Sequence, residues 1–341
     1  MLRLRRATVL AVGVGGMESP MEQRLSIQLG EQQRTAIADV GLVGAAQPGD
    51  EVIVNVEALD LRLGSGGFDI VHCNLTRGLD GEGTPRAHVM KLNYTSLQHA
   101  VLPVEEGNAD ATPPVLALPL GRPAAVIGLH GQLAPLAWSF AQATGGEGRL
   151  GYVQTPGGAL PGGHSCVVRE LRDDGLLAGH ITAGPAFGGA DGESITTAAA
   201  LHHGLAELGW DAAVAGPGPG ILGSGSALGH GGLQALDSLH TALALGCEAL
   251  LVPRMSSSDL RARHRGLSHH TRTVLELLLA PVAVAIPDGH PPGDDRHDWR
   301  AFAVDLDGYA ASGLPTRSMG REDPLFFAAA LAAGSALAQM T

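Results

Sequence analysis

The stretch AAVIGLHGQLAPLAWSFAQATGGEGRLGYVQT, residues 124–155, decides the fold. AAVIGLHG (124–131) begins as an unbroken apolar run ended by glycine, which marks a strand buried on both faces. LAPLAWSFAQAT (133–144) reads as a helix with Pro135 in its first turn, where a missing N–H is harmless. RLGYVQT (149–155) is a second strand. Strand, helix and strand in this order imply a right-handed crossover between parallel neighbours.

The same rhythm runs downstream. ITTAAALHHGLAELG (195–209) is a predicted helix, DAAVAG (211–216) a strand, and GGLQALDSLHTALALG (231–246) a helix stopped by Gly246. EALLVP, a helix through TVLELLLA, and PVAVAIP follow, while HSCVVREL and LAGHITAG are predicted to form a hairpin. The expectation for residues 81–290 is a three-layer α/β ligand-binding domain on a mostly parallel, Rossmann-like sheet. Upstream, ATVLAVGV, RLSIQL, TAIADVG, EVIVNV and FDIVHCNL are five short runs separated by Gly, Pro and Asp. They predict a small N-terminal β-barrel over residues 1–80. Pro48 and Gly49 before EVIVNV have the chemistry of a tight turn. Residues 291–341 are expected to be a loop and an alanine-rich helix, Leu325–Met340, packed on the α/β domain.

Composition narrows the function classes. A formal net charge of −12 over 341 residues argues against a general binder of nucleic acid or anionic membranes. Aromatic residues at 4% leave few stacking platforms for single strands. Cys73, Cys166 and Cys247 form no CxxC pair, which fits a reduced, cytoplasmic chain. The start, MLRLRRATVLAVGVGG, has a basic run but too short an apolar stretch for the secretory reading to be preferred.

Four polar or glycine-rich segments each follow an apolar strand. GLHGQLAP (128–135) brings His130 and Gln132, and YVQTPGGALPGGHS (152–165) brings Thr155, Gly157 and Gly158. GPGPGILGSGSALGHGG (216–232) offers Gly218, Gly220, Ser224, Ser226 and His230 ahead of a helix N-terminus, a favourable place for an anion. It matches neither the P-loop nor the dinucleotide fingerprint. RMSSSDLRARHRGLSHHT (254–271) supplies Arg254, Ser256, Ser257, Arg263, Arg265 and Ser268, with His264, His269 and His270 between them. Guanidinium forks match phosphate or carboxylate, and imidazoles move protons near neutral pH. In a parallel sheet these strand ends point one way, so the segments should converge on one crevice. His264, His269, His270 and His230 with Asp259 also offer metal-ligand atoms, though without HExxH or CxxC spacing. Asp259 is alternatively a helix cap or an orienter of Arg261.

A further segment, MKLNYTSLQH (90–99), contains the single lysine, Lys91, among 22 basic residues. Beside it stand Asn93, Tyr94 and Gln98. Lys91 is read either as an activated amine or phosphate contact, or as a surface lysine.

KLNYTSLQ, GLHGQLAP, YVQTPGGALP, GPGPGILGSGSALGHGG and RMSSSDLRARHRGLSHHT together resemble a bacterial family of conserved proteins described only as a domain of unknown function. The resemblance extends from the N-terminal strands to about residue 290. It implies a soluble bacterial α/β protein and carries over no activity, cofactor or catalytic role. From the residues, the expected function is an enzyme, a hydrolase or transferase, acting on a small phosphorylated or otherwise anionic metabolite. His130, His264, His269, His270 and Lys91 are its candidate catalytic groups. The alternative is a non-catalytic sensor of a nucleotide or sugar phosphate. No nucleic-acid or membrane partner is expected, and a homo-oligomer is compatible with the chain.

Overall fold

The computed structural model describes residues 1–13, 20–63, 66–105 and 116–341. Two units emerge, Met1–Leu102 and Pro103–Thr341. Val14, the last residue of the first predicted strand, lies outside the described residues.

In the first unit, β1 (Leu4–Val12), β2 (Glu22–Leu29), β3 (Gln32–Asp39), β4 (Glu51–Asn55) and β5 (Asp69–Asn74) close a barrel in the order β1-β2-β3-β5-β4. Each predicted run supplies one strand. Alternation fills the interior with Ala7 and Val9, Leu25 and Ile27, Ala36 and Ala38, and Val52 and Val54. The turn before β4 is built as expected, with Gly49 at φ 92° and the Asp50 amide donating to the Gln47 carbonyl at 3.1 Å. Short helices α1 (Val40–Val43) and α2 (Glu57–Asp60) follow β3 and β4. The hairpin β6 (Val89–Lys91) and β7 (His99–Val101) ends the unit.

The second unit is built on an eight-stranded sheet in which every described pairing is parallel. In chain order its strands are β8 (Pro123–Ile127), β9 (Leu150–Thr155), β10 (Gly179–Ala183), β11 (Gly192–Ser194), β12 (Ala212–Pro217), β13 (Glu248–Val252), β16 (Ala283–Pro287) and β17 (Asp298–Phe302). Across the sheet they run β11-β10-β9-β12-β8-β13-β16-β17. Every residue of β8, β9, β10, β12 and β16 is buried, which explains why their sequences do not alternate. Helices α3 (Leu133–Ala143), α4 (Cys166–Asp173), α8 (Leu306–Ala311) and α9 (Pro324–Gln339) cover one face. Helices α5 (Thr197–His202), α6 (Gln234–Ala244) and α7 (His269–Leu277) cover the other. β14 (Met255–Ser256) and β15 (Gly266–Leu267) form a small antiparallel pair after β13.

The expected hairpin at 164–184 is corrected. Residues 166–173 form α4 instead of the first hairpin strand, and β10 pairs in parallel with β9. Val167-Val168 resembles a strand fragment, but Ser165 caps a helix by accepting the Val168 amide at 3.2 Å. Burial at Val168 and Leu171 then follows the helical spacing. The helix expected at 195–209 passes from α5 into a π-helical turn at His203–Glu207. Gly204 there, with Gly151 on β9 and Gly179 on β10, lines the buried Trp210 indole. A Cβ at these glycines would lie 2.2, 1.9 and 2.8 Å from the ring.

Candidate functional site

The topology locates a crevice before any side chain is considered. The chain leaves β8 for α3 on one face and leaves the adjacent β12 for α6 on the other. Connections that diverge from neighbouring parallel strands open a cleft at the strand C-termini. The loops after β8, β9, β12 and β13 meet there.

Glycine makes the meeting close. A Cβ on Gly157 would fall 2.5 Å from the Gly231 carbonyl oxygen, and one on Gly158 would fall 2.2 Å from that of Gly218. The loops after β9 and β12 thus touch backbone to backbone, and Gly232 packs on Gly128 of the β8 loop. Of the eight glycines between 216 and 232, only Gly220 has a left-handed φ, of 70°. Several of the others therefore serve loop contact rather than unusual dihedrals. Gln132 joins the fourth loop. Its Oε1 accepts from the amides of Gly128 and Leu129 at 3.1 Å, and its Nε2 donates to the Val252 and Pro253 carbonyls at 3.3 and 3.1 Å. Thr155 is buried at the end of β9 and donates to the Pro156 carbonyl. Ser224 and Ser226 lie in an exposed loop, where their hydroxyls accept the amides of Ser226 and Leu228.

Two histidine groups lie at this end of the unit, one beneath the rim and one on it. The first is buried. The Tyr152 hydroxyl donates to the Gly216 and Pro217 carbonyls at 3.0 Å, so its oxygen faces His130 Nδ1, 3.4 Å away, as an acceptor. This network assigns the His130 proton to Nδ1 and leaves Nε2 to accept from the Ser165 hydroxyl at 2.8 Å. The Tyr152 ring stacks on His180 at a centroid distance of 5.3 Å. Burial lowers the pKa of His130 to about 4 and that of His180 to about 3, and raises that of Tyr152. With Ser165 only 2% exposed, the pair ties the start of α4 to the β8 loop.

The second group joins His230, His264, His269 and His270. His230 stacks on His270 at 3.6 Å between centroids, and His269 lies 4.3 Å from His270 and 4.8 Å from His264. Ser268 caps α7 by accepting the His270 amide at 3.2 Å, and its hydroxyl lies 2.8 Å from His264 Nδ1. One serine thereby sets the start of the helix and a third ring. Desolvation first, then neighbouring arginines and histidines, depresses all four pKa values, to about 4 for His264 and about 2 for His270. Their ligand-capable atoms include a set from His264, His269 and His270 within 4.8 Å of one another.

Arginines surround these rings. Arg254, Arg261 and Arg321 all reach Asp259 Oδ2, at 3.2, 2.8 and 3.0 Å. Hydrogen bonds from Arg261 come first among the causes that hold the Asp259 carboxyl well below its usual range. Burial pulls Arg254 down to about 10. Arg265 donates to the Asp259 carbonyl and Arg263 to His264 Nε2, while neither pairs with a carboxylate among the described residues. The other local acid, Asp323, takes bonds from Ser256 and from the amide and hydroxyl of Ser257. Five guanidiniums thus stand against two carboxylates, with the imidazoles neutral. A cavity of about 20 Å³, lined by Gly128, Gly232, Arg254 and His270 among others, lies beneath and holds no more than a water molecule.

The sequence alone isolates Arg254, Arg263, Arg265 and the histidines, and leaves Asp259 as a metal ligand, a helix cap or an orienter of Arg261, of which the structure shows the contact with Arg261. Sequence reasoning missed Arg321 and Asp323, which reach the site from the segment before α9, and also Ser165, Tyr152 and His180. Ser165 carried a signal, a capping serine three residues before a buried valine. Lys91, Asn93, Tyr94 and Gln98 belong to the first unit. Lys91 is buried at the end of β6, Tyr94 is exposed, and Gln98 accepts the Tyr94 amide at 3.0 Å across the β6–β7 turn.

Residues 35–334 match the family described as "Protein of unknown function (DUF3866)", and the chain belongs to that family. No curated protein and no solved structure matches it. No helix among the described residues is long and apolar enough to cross a membrane.

Proposed function

We propose that the protein is an enzyme acting on a small phosphorylated or comparably anionic metabolite, by hydrolysis or group transfer, at the rim of the second unit. The observation that carries this reading is the guanidinium surplus around Asp259. Three arginines share one carboxylate, and Arg263 and Arg265 have none, so fixed donors remain for an anion's oxygens. In the hydrolytic form, a water oxygen bonds to phosphorus as the bond to the leaving oxygen breaks. The neutral imidazole of His230, stacked on His270, takes the water's proton, and the leaving oxygen is protonated from solvent. The arginines oppose the charge that builds on the equatorial oxygens.

The test uses the exposed Arg263 and Arg265, whose removal spares the core. Arg263→Ala with Arg265→Ala should weaken binding of inorganic phosphate and of phosphorylated compounds by on the order of 10- to 100-fold, from the ~1.5–3 kcal/mol carried by a charged hydrogen bond. Calorimetric titration reads affinity, and phosphate release reads turnover. Failure of every phosphate, nucleotide and sugar phosphate to bind the wild type refutes the reading. A tight ligand recovered unchanged makes the protein a sensor instead of an enzyme.

A further inference from the structure

We propose that His264, His269 and His270 hold a divalent transition-metal ion of the zinc class, with its open coordination positions turned toward the arginines. Their ligand-capable atoms lie within 4.8 Å of one another and come from two neighbouring elements. His269 and His270 open α7, and His264 precedes it by one short turn, held by Ser268.

A guanidinium has only donors, so the nitrogen it meets on an imidazole must present a lone pair. Arg254 meets His270 Nδ1 at 3.2 Å, and Arg263 meets His264 Nε2 at 3.4 Å. His264 then directs its Nδ1 proton to Ser268, the outer hydrogen bond that metal-binding histidines ordinarily make. The third ring has its Nε2 buried without a hydrogen-bond partner among the described residues. Two lone pairs therefore face cationic donors, and the third nitrogen is unsatisfied. One metal ion would satisfy the unpartnered His269 nitrogen and take over the two lone pairs that the guanidiniums now occupy. Tetrahedral zinc with Zn–N of about 2.0–2.1 Å needs nitrogens about 3.4 Å apart, so the rings must draw in by about 1.4 Å at most. No thiolate takes part, and imidazole sites of this kind suit zinc, cobalt, nickel and copper.

Metal entry has a consequence that rests on the anion reading above. It releases Arg254 and Arg263 from the imidazoles and adds positive charge to a site that already has a surplus. An anion that bridges the metal and these guanidiniums relieves both, so metal and anion each raise the other's affinity.

The experiment uses the full chain stripped with a chelator and titrated with cobalt(II), read by its visible d–d absorption, with and without inorganic phosphate. The wild type should take up one cobalt with a tetrahedral spectrum, and zinc should displace it. His264→Ala and His269→Gln should each lower cobalt affinity by at least about 100-fold, beyond the 10- to 100-fold typical of supporting residues. His269 is only half-buried, so its variant serves if His264→Ala does not fold. His203→Ala, on the π-helical turn, should leave uptake unchanged. No uptake by the wild type, or uptake undiminished in both ligand variants, overturns the site. Cobalt uptake without any phosphate binding keeps the metal site and defeats the anion reading, and phosphate binding without cobalt uptake does the reverse.

Discussion

Acidification from about pH 7.5 to about pH 5.5 should cost the second unit about 3 kcal/mol through His130 and His180 alone. An unfolded imidazole binds its proton near 6.5, whereas burial holds His130 at about 4 and His180 at about 3. The folded pKa lies below the unfolded one, so the unfolded chain binds more protons. Stability from these groups is complete above about pH 6.5 and is lost as pH falls toward about 4. At one unit below the unfolded value each group loses RT ln(1 + 10), about 1.4 kcal/mol. Urea unfolding followed by tryptophan fluorescence isolates the effect, because Trp138, Trp210 and Trp299 all lie in the second unit. His264 and His270 add to the slope in the same direction, so the diagnostic quantity is a difference. The double variant His130→Gln, His180→Gln should lose about 3 kcal/mol less than the wild type over the same interval, whatever its starting stability. Equal losses in the two proteins would show that the paired rings are protonated in the folded state, and the buried neutral network would be wrong.

Two further outcomes follow from packing and charge. Gly151→Ala sets a methyl 1.9 Å from the Trp210 ring, and overpacking of that kind should lower stability by about 1–3 kcal/mol in urea melts, with a shifted tryptophan emission. Asp259→Asn removes the carboxylate shared by Arg254, Arg261 and Arg321. Its melting temperature should fall in low-salt buffer and recover with added phosphate by a larger increment than the wild type shows. Equal increments would mean that the guanidiniums do not face the anion.

The sheet was legible because strands buried on both faces cannot alternate, and AAVIG, YVQT and DAAVAG do not. The barrel was legible for the opposite reason, since its strands alternate around a filled interior. The hairpin error came from a two-valine run too short to distinguish strand from helix, where the capping serine was the better guide. At the site, the 254–270 block was visible because its arginines, serines and histidines are contiguous. Arg321 and Asp323 were not, because they arrive through a tertiary contact made more than sixty residues later. The glycines illustrate a different limit. Beside Gly157, Gly218 and Gly231 the structure places another stretch of backbone, which no spacing in the sequence announces. A missing side chain tells the reader that something comes near, without saying what.

That main-chain contact has a consequence for how the proposed anion site could be tuned. Where Gly157 meets Gly231 and Gly158 meets Gly218, any side chain would force the two segments apart, so this part of the wall cannot be re-lettered to suit another molecule. The adjustable positions are the exposed arginines at 261, 263 and 265 and the projecting serines at 224 and 226. Selectivity would therefore be rewritten from the outer lip, over a floor whose shape does not change.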